Sequence, residues 1–148
     1  MARVILCIVC VLYTAVVLAQ GPVQWQCKAR KVSDKTWEIR LTAQVDEPWH
    51  IYSQQTPAGG PLPTKISFIK NPLLLPAGKL KEEGDMEIYH ENVFDVDVYA
   101  YTGKVEFVQV VKLRSAAKTN LTGSVDYMAC TREQCLAPTT YRFNVALN

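Results

Sequence analysis

Two cysteines near the end of the chain, Cys130 and Cys135, are the residues best suited to chemistry, and four residues separate them. A disulfide between them requires Cα atoms about 4.4–6.8 Å apart, so the chain must reverse its direction within that short segment. Closing so small a ring adds only about 2 kcal/mol by loop-closure entropy. A disulfide that stabilises the fold so little suggests reversible thiol–disulfide exchange, although short-loop disulfides in exported β domains are often structural.

Other chemistry for these residues is less well supported. The spacing differs from C-x-x-C, so a thioredoxin fold is not indicated. A zinc site would have to combine the two cysteines with His50 or His90, yet zinc ligands usually occur in tighter pairs. The histidines have no serine or carboxylate partner at a recognisable spacing, so hydrolase chemistry has no basis. No metal and no cofactor are expected.

The N-terminal segment predicts a secretory signal peptide over residues 1–19. Arg3 gives a positive start, and residues 4–19 carry no charge, a run shorter than the roughly 20 apolar residues of a spanning helix. Cleavage is expected near Ala19 or Gln20, with a retained anchor as the alternative. The remaining residues 20–148 are predicted to form one domain.

Export would place the chain where disulfides persist. After removal of the leader three cysteines remain, which is one pair and one leftover thiol. The leftover residue, Cys27, lies beside Trp25 and is predicted to be a buried free thiol rather than a third redox residue.

Composition limits the class of protein further. The 148 residues are 49% hydrophobic and 20% charged, which argues against disorder and for one folded domain. The formal net charge is +2 without a basic cluster. Because phosphate binding needs clustered cations, nucleic acid is not an expected partner. The oligomeric state is not determined by the sequence.

Alternating apolar and polar residues predict strands over most of the domain. Residues 35–45 place five apolar side chains on one face: Trp37, Ile39, Leu41, Ala43 and Val45. The same period occurs over residues 121–127 and 141–147. Less regular strands are predicted at residues 23–32, 49–53, 65–69, 86–90 and 104–113.

Turn residues separate these segments. Hairpin turns are predicted at Ser33-Asp34 and Thr102-Gly103, and irregular breaks over residues 57–63 and 71–78. The charged residues 79–83 are interpreted as a solvated loop. About eight short strands predict an all-β fold, an immunoglobulin-like antiparallel β-sandwich, with a closed barrel as the alternative.

Residues 127–138 resemble the cysteine loop of the N-terminal periplasmic domain of DsbD, the thiol:disulfide interchange protein. The loop has an aromatic residue (Tyr127), two intervening residues, Cys130, a polar insert, Cys135, an apolar residue and a proline (Pro138). The four-residue insert is shorter than in the best-known members. Weaker similarity extends over residues 37–143 and includes the segments 41–53, 90–94 and 99–107.

The resemblance implies an immunoglobulin-like fold and an electron carrier. Cys135 would form the mixed disulfide with a partner, and Cys130 would resolve it. Phe94 would cap the pair against stray thiols, and Tyr52 would lie near the cysteine loop. Asn92 stands where the family has a carboxylate, so a charge that would tune the cysteines, or accept their proton, is expected to be missing.

The same resemblance implies a protein-disulfide interchange component in the periplasm. Its partners would be thioredoxin-like oxidoreductases and a separate membrane electron donor. The rival hypothesis is a non-enzymatic exported β-sandwich that binds other molecules and holds a purely structural disulfide.

Overall fold

The computed structural model describes residues 21–148, so the predicted signal peptide at residues 1–19 lies outside the described residues. The described part contains nine strands and no helix long and apolar enough to cross a membrane. The strands are β1 (Val23–Ser33), β2 (Thr36–Val45), β3 (His50–Tyr52), β4 (Lys65–Phe68), β5 (Leu74–Glu91), β6 (Val96–Leu113), β7 (Thr119–Tyr127), β8 (Ala129–Cys130) and β9 (Thr139–Leu147).

The strands form two sheets, and every pairing is antiparallel. The larger sheet has the order β1–β2–β6–β3–β8, with β5 paired along β6, and the smaller one has the order β4–β7–β9. This arrangement confirms the predicted immunoglobulin-like antiparallel β-sandwich rather than the closed barrel. The short strands β3 and β8 extend the larger sheet at the end that carries the cysteines.

The core lies between the two sheets and follows the predicted alternation. All five apolar residues of the β2 face are buried, and the intervening polar residues are more exposed. Leu41 and Phe107 belong to the same buried cluster as Val125 and Phe143 of the smaller sheet. Because one face of each sheet is apolar, burying both faces against each other is the main driving force of this fold.

The predicted hairpin turn at Thr102-Gly103 is wrong, because both residues lie inside β6. At this point β6 changes partner: Tyr101 pairs with Ile51 of β3, whereas Gly103 pairs with Val45 of β2. Gly103 has a φ of 62°, a conformation that glycine adopts without steric cost. The glycine therefore bends a continuous strand between two partners instead of ending it.

The predicted break over residues 71–78 and the predicted loop over residues 79–83 also need correction. Both segments overlap β5, which begins at Leu74 and pairs only with β6. Pro76 is tolerated there because an edge strand can leave one backbone position without a ladder hydrogen bond. Glu82 is not simply solvated, since its carboxylate accepts hydrogen bonds from Ser53 Oγ at 2.6 Å and Tyr101 Oη at 2.8 Å.

Candidate functional site

Cys130 and Cys135 form a disulfide at the end of the larger sheet, with sulfurs 2.05 Å apart and Cα atoms 4.0 Å apart. The chain reverses between them, as the spacing predicts. Backbone hydrogen bonds fix this hairpin: Thr131 N donates to Gln134 O at 2.8 Å, and Leu136 N donates to Ala129 O at 2.9 Å. The loop thus holds the two cysteines side by side.

Thr131 organises the tip of the cysteine loop. Its Oγ1 accepts hydrogen bonds from the backbone N–H groups of Glu133 and Gln134, both at 3.2 Å. A side-chain hydroxyl that accepts from the following residues stabilises a tight turn. The turn brings Cys135 back against β8, where it forms an isolated bridge with Cys130.

The two cysteines differ in accessibility. Cys130 is fully buried, in a cluster with Tyr52, Val98 and Ala100. Cys135 is only half-buried, and the residues around it in the loop are exposed. Since thiol–disulfide exchange requires direct access to the attacked sulfur, Cys135 is the residue of the pair that another molecule can reach.

The turn that joins β5 to β6 covers residues 92–95, and we call it the cap turn. The carbonyl oxygen of Glu91 accepts hydrogen bonds from Phe94 N at 3.1 Å and Asp95 N at 2.7 Å. Asn92 is exposed, and Phe94 is half-buried. The capping role of Phe94 stays a prediction, as do the roles of Asn92 and Tyr52 in partner binding.

Three buried polar side chains meet next to the disulfide. Tyr52 Oη donates to Glu91 Oε1 at 3.0 Å, and His50 Nε2 lies 3.0 Å from the same oxygen and 3.1 Å from Tyr52 Oη. His50 and Glu91 are each 4% exposed, and Tyr52 is 0% exposed. The Tyr52 hydroxyl, Glu91 Oε1 and His50 Nε2 are thereby hydrogen-bonded, which avoids the cost of burying them unpaired.

This cluster corrects two expectations from the sequence. A carboxylate is present although Asn92 is not one, because the preceding residue, Glu91, points into the cluster with Tyr52. His50 has a partner after all, on a strand 41 residues further along the chain. Alternation along β3 places His50 and Tyr52 on one face, but no sequence pattern reveals that Glu91 turns inward.

Burial changes the proton affinities of these groups. Desolvation lowers the pKa of His50, and the neighbouring Glu91 carboxylate opposes that shift only in part. Desolvation raises the pKa of Tyr52, and its hydrogen bond to Glu91 adds to the increase. Neutral His50 and neutral Tyr52 are therefore the favoured forms at neutral pH.

A cleft of about 230 Å³ connects this cluster with solvent between the cap turn and the cysteine loop. His50, Glu91 and Tyr89 line it together with the exposed Asn92 and Arg132. The His50 ring stacks on Tyr89 with centroids 5.2 Å apart. Water and protons thus have a route to a histidine that is otherwise buried.

The third cysteine is separate from this site. Cys27 is half-buried, packs against the main core and is not in a disulfide. Burial raises the pKa of its thiol to about 11, which suppresses the reactive thiolate at neutral pH. Within residues 21–148, no three His, Cys, Asp or Glu side chains are grouped to hold a metal ion, so the zinc alternative gains no support.

Comparison with known proteins gives a family and a fold. The profile of the family "Thiol:disulfide interchange protein DsbD, N-terminal" matches residues 16–147. Among solved structures, the N-terminal periplasmic domain of ScsB from Proteus mirabilis is 20% identical with a TM-score of 0.64; the match covers 85% of this chain and 47% of that one. The present chain thus spans about half the length of that relative.

A second similar structure is the Neisseria meningitidis DsbD N-terminal domain in the reduced form. It is 14% identical with a TM-score of 0.52, and the match covers 84% of this chain and 86% of that chain. No curated protein sequence matches the chain. At such low identities the likeness of the two structures establishes a common fold, whereas the profile establishes the family.

Proposed function

Because the chain belongs to the family of the N-terminal domain of the thiol:disulfide interchange protein DsbD, we propose that it passes reducing equivalents between thioredoxin-like proteins through its Cys130–Cys135 couple. The observation that carries this proposal is the unequal burial of the two cysteines. Cys130 is 0% exposed, whereas Cys135 is half-buried in an exposed loop. One sulfur can meet a partner while the other stays protected beside it.

The proposed cycle balances two electrons in each direction. A thiolate of the reduced donor attacks Cys135, the Cys130–Cys135 bond breaks, and Cys130 leaves with the electron pair. The second thiol of the donor then displaces Cys135, so that the donor is oxidised and the pair is reduced. Toward an acceptor, Cys135 attacks the acceptor disulfide, and Cys130 then displaces the acceptor by reforming the bond with Cys135.

The surrounding residues receive supporting roles in this proposal. Phe94 and Asn92 lie in the cap turn and would limit access to the pair until a partner docks. Tyr52 packs against Cys130 and would hold the buried sulfur in place. Docking of a partner, rather than a strongly activated thiolate, would then control the rate of exchange.

The proposal places the domain, residues 20–148, outside the cytoplasm after cleavage of residues 1–19. The similar ScsB domain is described as periplasmic, which supports that location. Its electrons would come from a separate membrane donor, and the protein would act as a disulfide-interchange component that needs no cofactor.

Reduction by thioredoxin tests the proposal against the rival hypothesis of a structural disulfide. We expect excess reduced thioredoxin to open the Cys130–Cys135 bond of the folded protein, measured by acid quenching, alkylation and mass spectrometry. The matched control is the same mixture with a thioredoxin that lacks its exposed active-site cysteine. A bond that stays closed while the domain remains folded would support the non-enzymatic binding module instead.

A further inference from the structure

His50 lies directly beside the buried cysteine. In the antiparallel pair of β3 and β8, His50 is opposite Cys130, and Ile51 is opposite Ala129. Directly opposed residues project from the same face of a sheet, with Cβ atoms about 4.5–5.5 Å apart. Tyr52, two residues further along β3 and on that same face, packs in the Cys130 cluster, which agrees with this placement.

The hydrogen bonds of the His50 ring indicate which of its two nitrogens carries the proton. Both contacts of His50 use Nε2, with Glu91 Oε1 at 3.0 Å and Tyr52 Oη at 3.1 Å. Glu91 Oε1 already accepts the Tyr52 hydroxyl, and a carboxylate accepts a further N–H, so Nε2 carries the proton. Nδ1 is then left with a lone pair, and a carboxylate that orients an imidazole in this way is typical of a general base.

Cys130 has a need for such a base. In the disulfide form Cys130 is buried among Tyr52, Val98 and Ala100, and the same surroundings in the reduced protein would favour the protonated form of the cysteine. The thiolate, not the thiol, attacks a disulfide. Cys130 must therefore lose its proton at the moment it resolves a mixed disulfide, at a place where bulk water does not reach it.

We propose that His50 accepts the proton of the Cys130 thiol when Cys130 resolves the mixed disulfide formed at Cys135, an inference that rests on the proposed function. The Cys130 proton passes to Nδ1, and the Cys130 sulfur bonds to the Cys135 sulfur. The electron pair of the mixed disulfide leaves on the sulfur of the partner. His50 then gives its proton to that thiolate, or to water through the cleft, and the partner is released as a thiol.

The groups facing His50 are consistent with this role. Tyr52 lies on the same strand, Tyr89 and Glu91 face the ring from β5, and Arg132 approaches from the cysteine loop. Glu87 of β5 also favours the charged ring, whereas burial and Arg132 favour the neutral ring, and the net effect lowers the pKa of His50. The ring is thus ready to accept a proton at neutral pH.

The test separates attack by Cys135 from attack by Cys130. Reduced protein of residues 20–148 carrying Cys27→Ala, whose only thiols are Cys130 and Cys135, is mixed with one equivalent of 5,5′-dithiobis(2-nitrobenzoate), and thionitrobenzoate release is followed by stopped flow. Attack by Cys135 releases the first thionitrobenzoate, and resolution by Cys130 releases the second. We expect His50→Gln to leave the first phase unchanged and to slow the second at least about tenfold at pH 7, the low end for loss of a general base.

The pH profile distinguishes a proton acceptor from a structural residue. In the wild type the second phase should level off once His50 is neutral, whereas in His50→Gln it should keep rising about tenfold per pH unit, as the thiolate fraction does. His90→Gln is the matched control, because His90 is the other histidine of the chain and lines the same cleft, but it is exposed and contacts Asp97 instead of the buried cluster. We expect its two phases to equal those of the wild type.

A second variant keeps the test valid if His50→Gln does not fold. Glu91→Gln keeps the size of the side chain but weakens the orientation of the ring, and we expect a smaller slowing of the second phase alone. Equal second phases in the wild type and in a folded His50→Gln or Glu91→Gln variant would overturn the role of His50 and leave the exchange function standing. A wild type without any second phase would overturn the exchange function itself.

Discussion

Replacing Cys130 by serine is expected to trap the protein in a stable mixed disulfide with a thioredoxin through Cys135, whereas replacing Cys135 by serine is expected to give no adduct. The reason is geometric, because Cys135 is half-buried at a loop tip and Cys130 is 0% exposed. Without Cys130 nothing within the loop can displace the partner, and without Cys135 no sulfur of the pair is accessible.

The measurement uses residues 20–148 carrying Cys27→Ala in addition, and each variant is treated with excess 5,5′-dithiobis(2-nitrobenzoate), so that the one cysteine left of the pair is loaded with thionitrobenzoate where it is accessible. A thioredoxin that retains only its exposed active-site cysteine is added, and the adduct is quantified by non-reducing electrophoresis and mass spectrometry. The loaded Cys130→Ser variant should convert to adduct almost completely. An adduct of equal yield in the Cys135→Ser variant, linked through Cys130, would reverse the proposed division of roles.

Substitution of Gly123 by valine is expected to cost the fold about 3 kcal/mol or more of unfolding free energy, the upper range for overpacking. A Cβ atom at this position would collide with the backbone oxygen of Ser67 on β4 and would lie 2.5 Å from Phe143 Cζ on β9. Gly123 sits at the centre of the smaller sheet, paired with Phe68 and Phe143, so the backbone cannot move aside without breaking the sheet.

Urea denaturation followed by tryptophan fluorescence measures this effect. The matched control is Gly21→Ala, since a Cβ at Gly21 meets no atom within 4 Å, and its midpoint should equal that of the wild type. A Gly123→Val variant with an unchanged midpoint would show that β4, β7 and β9 do not pack as described.

Strands with one buried face are the part of the fold that a single sequence predicts best. The alternation over β2 leaves only one register that buries Trp37, Ile39 and Leu41 together. The path of β6 is harder to predict from the sequence, because Gly103 locally favours a turn over a continuous strand. Only the pairing with two different strands, β3 before it and β2 after it, explains why a bent continuous strand is preferred there.

The sequence predicts one part of the candidate site, the cysteine pair, better than the other, the buried cluster of His50, Tyr52 and Glu91. The position of the cysteine pair follows from the short spacing and the proline after it, which require a reversal of the chain. The position of the buried cluster does not follow from the sequence, because Glu91 lies 41 residues from His50 and a glutamate beside a turn is ordinarily exposed. Its burial is a consequence of where the β5–β6 hairpin packs, and local sequence does not carry that information.

Cys130 and Cys135 also lie in different parts of the fold. Cys130 is part of β8 and belongs to the interior, whereas Cys135 belongs to an exposed loop that its own hydrogen bonds hold in place. The proposed function therefore requires the bond to open while the sandwich core stays in place. Because a disulfide that closes so small a ring contributes little to global stability, we expect it to open without unfolding of the domain.

The equilibrium between the Cys130–Cys135 bond and a glutathione buffer tests the central claim most directly. The folded protein is incubated over a series of ratios of reduced to oxidised glutathione, quenched with acid and alkylated. Mass spectrometry then gives the fraction of protein in which the bond is open. We predict one reversible two-electron transition, with a midpoint above the roughly −300 mV that marks structural disulfides. A bond that remains closed in the folded protein at the most reducing ratio would contradict the exchange function.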